Sequence, residues 1–373
     1  AAAISEELEK AAPDTDRVRE LCKKEGVPDA LRGKVWQILL GVHNKRANLD
    51  VPPGGDGLTP EDQQTIKADV ARTRQTVDMF RTPEVQTDLE NLLTVYCKRR
   101  SVRYTQGLNE LIAPFFLLGM DAGGIFNCFY GLMAKFLPNM LRGHDLKTLR
   151  RGLEMFGLLL QYHAPRMHHH LSEHGVRADL YATSWFVTLF AGDSSIPVVL
   201  ALWDQFLLRE DPFFVYFVAL ALLVREEESI MAADEADVME LLRRIKMSDA
   251  EEVRRAVQAA EEFDLETPRS FRRQLYRATV QNEANSDVDE MLLTAPCLVL
   301  PPQELVKESG KVRFFVIDTR PQEAFVLGAL PTAVNLDVAS LAREELDAKV
   351  AELKKGLAGQ HICIMGSDAG GSA

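Results

Sequence analysis

Residues 61–80 read "EDQQTIKADVARTRQTVDMF". Ile66, Val70, Thr73, Val77 and Phe80 recur at steps of three or four, so a helical backbone sets them on one stripe. The spacing predicts one amphipathic helix across the whole stretch. The flanks repeat the pattern. "DALRGKVWQILLGV" (29–42) places Leu31, Val35, Ile38, Leu39 and Val42 on one face beside Trp36, with Pro28 at a helix start. "TPEVQTDLENLLTVYCKRR" (82–100) opens on a threonine cap with proline at the first helical position and closes on cations that suit a C-terminal dipole. The Gly- and Pro-rich segment 43–60 is a loop. Further helices are expected at 125–137, 147–162, 178–191, 195–208, 212–230, 235–245 and 250–277, without internal repeat or heptad array. Residues 16–278 therefore read as one all-helical domain.

After residue 278 the pattern changes. "TVQNEANSDVDE" (279–290) is polar and acidic and reads as a linker. Beyond it lie β-like runs, "CLVL" (297–300), "VRFFVID" (312–318), "AVNLD" (333–337) and "HICIM" (361–365), with helical segments at 302–308, 321–326 and 339–357. Strand–helix alternation implies a small parallel α/β domain over 291–373, expected to be incomplete because the sequence stops just after a strand. The fold class is mainly α with a small α/β addition.

The 373 residues are 46% hydrophobic and 26% charged, an ordinary globular balance, and carry a net charge of −12. That charge argues against nucleic acid or an anionic membrane as the main partner. The longest apolar run, 212–224, is too short to cross a bilayer and suits a buried helix. The N-terminus lacks an apolar signal core. Cysteines 22, 97, 128, 297 and 363 are scattered and odd in number, as reduced thiols of a cytoplasmic protein would be.

Two polar features stand out. Arg72 lies off the apolar stripe of 61–80, with Asp69 three residues earlier on the same side. As a surface ion pair it would be worth little. It could instead be an arginine aimed at a partner by its carboxylate. The second feature is "RYTQG" (103–107), where a basic stretch, "CKRRSVR", runs into an apolar helix. Thr105 could cap that helix, but Gln106 is a poor cap. An exposed arginine and an exposed glutamine are the two groups that complete a GTPase site: one neutralises charge on the transferred phosphoryl group, the other orients the attacking water.

These residues also carry a resemblance. "IKADVARTRQTVDMF" resembles the IxxDxxRT motif, and "YTQGLNE" the YxQGxN motif, of TBC domains, helical GTPase-activating domains that act on Rab proteins. "LRGKVW" (31–36), "SWFVTLFAG" (184–192) and "ALWDQFLL" (201–208) are similar to three further TBC blocks, in order, so the resemblance spans roughly 25–275. It implies catalysis in trans by Arg72 and Gln106, with Asp69 orienting the arginine and Tyr104 and Asn109 shaping the loop. GTP and Mg²⁺ would be carried by the Rab partner, with no cofactor of the chain's own. Arg103 and Arg32 are candidate binding positions, and Arg32 suits scaffold better, with Trp36, Trp185, Trp203 and Asp204. Many members have proline at or near position 75, where this chain has "RTRQ", so Arg74 stands as a minor rival finger.

The second domain resembles a rhodanese in "VRFFVIDTRPQEAFVLGALPTAVNLD" (312–337), with Ala329 where that family often has histidine. At its catalytic-cysteine position the alignment puts Gly366, and Cys363 falls inside the strand, so the resemblance implies a binding module without sulfur transfer. A TBC domain followed by a rhodanese resembles a family known in animals as a trans-Golgi trafficking adaptor. Its animal members look degenerate at both finger positions, which this sequence keeps. The implied protein is cytoplasmic, peripheral to Golgi, endosomal or other trafficking membranes, with other trafficking proteins as partners of its second domain. Two rivals remain in view, a non-catalytic adaptor and a thiol-dependent sulfurtransferase; in the histidine-rich "YHAPRMHHHLSEH" (162–174) a solvated helix end is a stronger reading than a metal site. No P-loop or GxSxG motif occurs.

Overall fold

The computed structural model describes residues 2–50, 58–140, 146–281, 295–306, 314–357 and 361–366. The chain divides into two compact units, 1–267 with 271–297, and 268–270 with 298–373. The expected linker 279–290 lies mostly outside the described residues.

The first unit is helical. It begins with α1 (Ala2–Leu8), α2 (Thr15–Glu25), α3 (Arg32–Leu39) and α4 (Pro60–Arg72). There follow α5 (Pro83–Arg100), α6 (Leu108–Phe116), α7 (Ala122–Phe136), α8 (Lys147–His163) and α9 (Pro165–Glu173). Two short helices, α10 (Ala178–Tyr181) and α11 (Thr183–Thr188), stand where one helix over 178–191 was expected. Then come α12 (Ile196–Arg209), α13 (Phe214–Arg225), α14 (Glu227–Ala232), α15 (Glu235–Arg244), α16 (Ala250–Glu266) and α17 (Ser270–Thr279).

α4 starts on a capping box: Thr59 Oγ1 accepts from the Asp62 amide, and the Thr59 amide donates to Asp62 Oδ2. It stops at Arg72, eight residues short of the periodicity's prediction. Thr73 is extended (φ −64°, ψ 124°) and Arg74 takes a left-handed φ of 45°. The apolar spacing carries on through a turn and a 3₁₀ segment, Asp78–Arg81, and still buries Thr73 and Phe80.

The core is packed about α12 and α13, and every residue from Phe214 to Leu223 of α13 is buried. Trp36, Phe115 and Trp203 bring α3, α6 and α12 together, with ring centroids 5.7–5.9 Å apart. Beneath them Asp204 accepts from Trp36 Nε1 (2.7 Å) and from Arg32 Nε and Nη2 (3.1–3.2 Å). Burial pushes the Asp204 carboxyl up, against the pull of Arg32 and Trp36. Gly33 is required here, because a Cβ would meet the Leu118 carbonyl oxygen at 2.6 Å.

The second unit holds a parallel sheet ordered β2-β1-β3, with β1 Phe315–Asp318, β2 Val334–Asn335 and β3 Ile362–Met365. Helices α18 (Pro302–Leu305), α19 (Gln322–Leu327) and α20 (Arg343–Gly356) accompany it. Residues 297–300, expected as a strand, pair with none of these strands. The fully buried Asp318 accepts from the Arg320 backbone amide (3.1 Å) and guanidinium (2.7–3.2 Å). Arg320 holds this carboxylate below its ordinary pKa.

Candidate functional site

The end of α4 and the entry to α6 share one cleft. Asp69 sits in the last turn of α4 with its side chain 4% exposed. Its Oδ1 accepts from Arg72 Nε (2.9 Å) and Nη2 (2.7 Å), and its Oδ2 accepts from the Tyr104 hydroxyl (2.9 Å). The Arg72 side chain is 61% exposed. One edge of its guanidinium is therefore anchored on a buried carboxylate while the rest faces solvent, and the bond to Asp69 raises its pKa further.

The α6 entry is tied to the same corner. Asn109 Oδ1 accepts from the Gly107 amide (3.2 Å), and its Nδ2 donates to Thr73 Oγ1 (2.9 Å). Thr73 Oγ1 in turn donates to the Asp69 carbonyl (2.7 Å). Burial and the Asp69 charge raise the Tyr104 pKa far above the ordinary phenol, so its hydroxyl remains a donor. Gly107 has φ 106°, and a Cβ there would lie 2.9 Å from Thr188 Cγ2 and 3.2 Å from Val187 Cγ1. A glycine lets the loop turn and press against α11, which leaves Gln106 exposed at the helix mouth.

Arg72 and Gln106 line a common cleft of about 660 Å³. Thr105, Asn109, Glu110, Ser184 and Thr188 make its polar wall, and Leu146, Leu149, Leu180 and Val187 its apolar one. Leu180 is 54% exposed beside it. Asp69 and Tyr104 stand behind this lining.

The other sequence candidates are placed elsewhere. Arg32 is buried under Asp204 and also pairs with Asp29, so it offers no surface for binding. Arg103 pairs with Asp62 (3.0–3.3 Å) and remains 46% exposed. Arg99 and Arg100 of the basic stretch lie over the rings of Phe126 and Tyr130, at 5.7 and 5.6 Å. Arg74, the rival finger, turns inward: Nη1 donates to Ser194 O (2.6 Å), Nη2 to Ala191 O, and Nε lies 2.7 Å from Glu110 Oε2. Trp185 stacks on Phe190, and Trp203 Nε1 donates to Leu189 O (3.0 Å), both within the core.

At the C-terminal end of α9, His174 Nδ1 lies 2.8 Å from the His170 carbonyl oxygen. Among the described residues no group of three or more His, Cys, Asp or Glu is set to hold a metal ion, and no helix is long and apolar enough to cross a membrane. Glu110, Thr188 and Leu180 escaped the sequence reading. Glu110 adjoins the motif residue Asn109, which was a usable signal. Nothing in the sequence announces that α10 and α11 fold back onto the glutamine loop.

The model of the Rab-GTPase-TBC domain matches residues 29–231, more than half of the chain and the span that holds every residue of this cleft. The chain belongs to the TBC family. The TBC domain-containing protein kinase-like protein of Homo sapiens is 28% identical over 212 residues, 55% of this chain and 23% of that protein. The GTPase-activating protein GYP5 of Eremothecium gossypii is 27% identical over 215 residues, 54% of this chain and 24% of that protein. The chain thus spans about a quarter of the length of these two curated relatives. The crystal structure of the Ypt/Rab-GAP domain of Gyp1p superposes with a TM-score of 0.60 at 18% identity, over 71% of this chain and 99% of that one. That likeness establishes the TBC fold of the first unit.

Proposed function

We propose that this TBC domain accelerates GTP hydrolysis by a Rab-family small GTPase, lending Arg72 and Gln106 to the partner's site. One observation carries the reading: an exposed guanidinium, gripped from behind by a buried carboxylate, lines the same cleft as an exposed glutamine at a helix mouth. GTP and Mg²⁺ arrive with the partner. Arg72 neutralises charge developing on the transferred phosphoryl oxygens, and Gln106, which can both donate and accept, orients the attacking water. Asp69 restrains the arginine before the partner arrives, so less side-chain freedom is lost on docking. Tyr104 and Asn109 brace Asp69 and the loop, and Arg103 is a rim contact for the GTPase. The relative named a GTPase-activating protein supports the same direction.

The second unit is proposed as a rhodanese-like binding module for other trafficking proteins, with the chain working in the cytoplasm at trafficking membranes. The parallel β2-β1-β3 order and the Asp318–Arg320 pair suit that family. Cys363 lies within β3, at the register of Val316, which does not suit a thiol that must open an anion loop.

The test is GTP hydrolysis by a panel of purified Rab proteins with wild type, Arg72→Ala and Gln106→Ala. Stimulation of one or a few, reduced by roughly 10³-fold or more in Arg72→Ala, is the expected result. A folded wild type that binds GTPases yet stimulates none would make the chain an adaptor.

A further inference from the structure

We propose that Arg74 is the positioning residue of this cleft, holding the arginine-bearing and glutamine-bearing segments in mutual register. Its consequence for hydrolysis rests on the function proposed above; its structural part does not. Arg74 stands two residues beyond Arg72, where the chain has left α4 with a left-handed φ of 45°. Its side chain is only 11% exposed, donates to the carbonyls of Ser194 and Ala191 and forms an ion pair with the carboxylate of Glu110.

Each partner belongs to a segment that fixes Gln106. Glu110 is one helical turn beyond Gln106, at the start of α6. The 191–194 turn follows α11, whose Thr188 packs on Gly107. Thr188 Oγ1 accepts from the Gly192 amide (3.0 Å) and donates to Ser184 O (2.7 Å), so the turn and the contact move together. The planar guanidinium donates from both Nη atoms to two carbonyls while its Nε edge carries the charge beside the Glu110 carboxylate, whereas a lysine ammonium supplies a compact point charge.

Glu110 supplies the readout. Burial raises its pKa, while Arg74 and then Arg72 pull it down and Asp69 pushes it up; Asn109 Nδ2 donates to its Oε1 (3.3 Å). Without Arg74 this half-buried carboxylate is left facing the charge of Asp69 with its nearest cation gone. Protonation then relieves it. A role confined to packing has no such pH signature.

The experiment compares the full chain with Arg74→Met, Arg74→Lys, Arg74→Met/Glu110→Gln and Arg72→Ala by amide hydrogen exchange and by stimulated hydrolysis. In Arg74→Met, exchange across 104–110 and 188–194 is expected to rise about tenfold at pH near 8, less at pH near 5.5, with α13 unchanged. Arg72→Ala leaves these segments protected, and Glu110→Gln restores part of the protection in the double variant. The maximal stimulated rate falls about tenfold in Arg74→Met, with the half-saturating GTPase concentration within about threefold of wild type. If Arg74→Met does not fold, Arg74→Lys replaces it, with the same local rise about threefold in size. Unchanged exchange in the two segments, a rise spread evenly over the whole unit, or no recovery on Glu110→Gln would each overturn the proposal. A wild type that stimulates no GTPase sinks the function proposed above, and the exchange measurements still decide the role of Arg74.

Discussion

At the scale of single residues, the cleft separates two arginines by what lies behind them. Arg72 has one buried acceptor and an open face; Arg74 has two carbonyl acceptors, a carboxylate beside it and little exposure. Asp69→Asn keeps the shape of the acceptor but removes its charge, turning a charge-assisted pair into a neutral one. Because Arg72 remains solvated, the cost to stability is expected at about 1 kcal/mol, while stimulated hydrolysis falls about tenfold in single-turnover assays. Glu110 predicts a pH dependence. Its folded pKa is raised above the ordinary 4.5, so its contribution to stability is present below that value and lost as pH rises through the raised one. The stability of Glu110→Gln relative to wild type should therefore shift in the variant's favour as pH rises across that window, as read by urea unfolding at several pH values. A difference that does not change with pH would contradict the raised value.

At the scale of elements, the core of the candidate site was legible because its residues sit in two short stretches that resemble TBC motifs. Asp69 and Arg72 one turn apart, and Tyr104, Gln106 and Asn109 around one helix mouth, were all read from short segments and converge on one corner. The end of α4 was not legible. The apolar steps of 61–80 continue past Arg72, but Thr73 is held extended by bonds to Asp69 and Asn109, and Arg74 is drawn toward carbonyls some 120 residues away in sequence. Periodicity records which side chains are buried, not which backbone carries them there. The splitting of 178–191 has the same character: Leu189 and Phe190 adopt left-handed φ of 47° and 66°, which no propensity favours for these residues. The 297–300 run shows the opposite error: apolar residues read as a strand do not belong to the β2-β1-β3 sheet. Gly107→Ala tests the element contact directly. It combines a strained φ with a 2.9 Å approach to Thr188, so a loss of about 1–3 kcal/mol is expected by thermal unfolding, with displaced Gln106 lowering stimulated hydrolysis further. A fully active, fully stable variant would show that the loop does not depend on this contact.

At the scale of the molecule, the helical unit is held by polar groups in places where an apolar core alone would leave the helices free to slide. Asp204 is the clearest case, joining α12 to α3 through Arg32 and Trp36. Removing one partner of a buried pair strands the other charge, so Asp204→Ala should cost about 3–5 kcal/mol by urea unfolding, whereas breaking a solvent-exposed pair such as Arg254–Glu251 should leave the transition almost where it was. The division into two compact units leads to the last expectation. The cleft, the tryptophan cluster and the Arg32–Asp204 pair all lie in the helical unit, so a fragment of residues 1–281 contains every group that the proposed chemistry uses. It should unfold in one cooperative transition and stimulate the same GTPases as the whole chain, with a maximal rate within about twofold. If the fragment unfolds cooperatively but has lost stimulation, the second unit contributes to catalysis or docking, and a reading built on the helical cleft alone would have to give way. If it keeps the rate but loses its association with membranes in cells, the division of labour is the one proposed: chemistry in the helical unit, placement in the α/β unit.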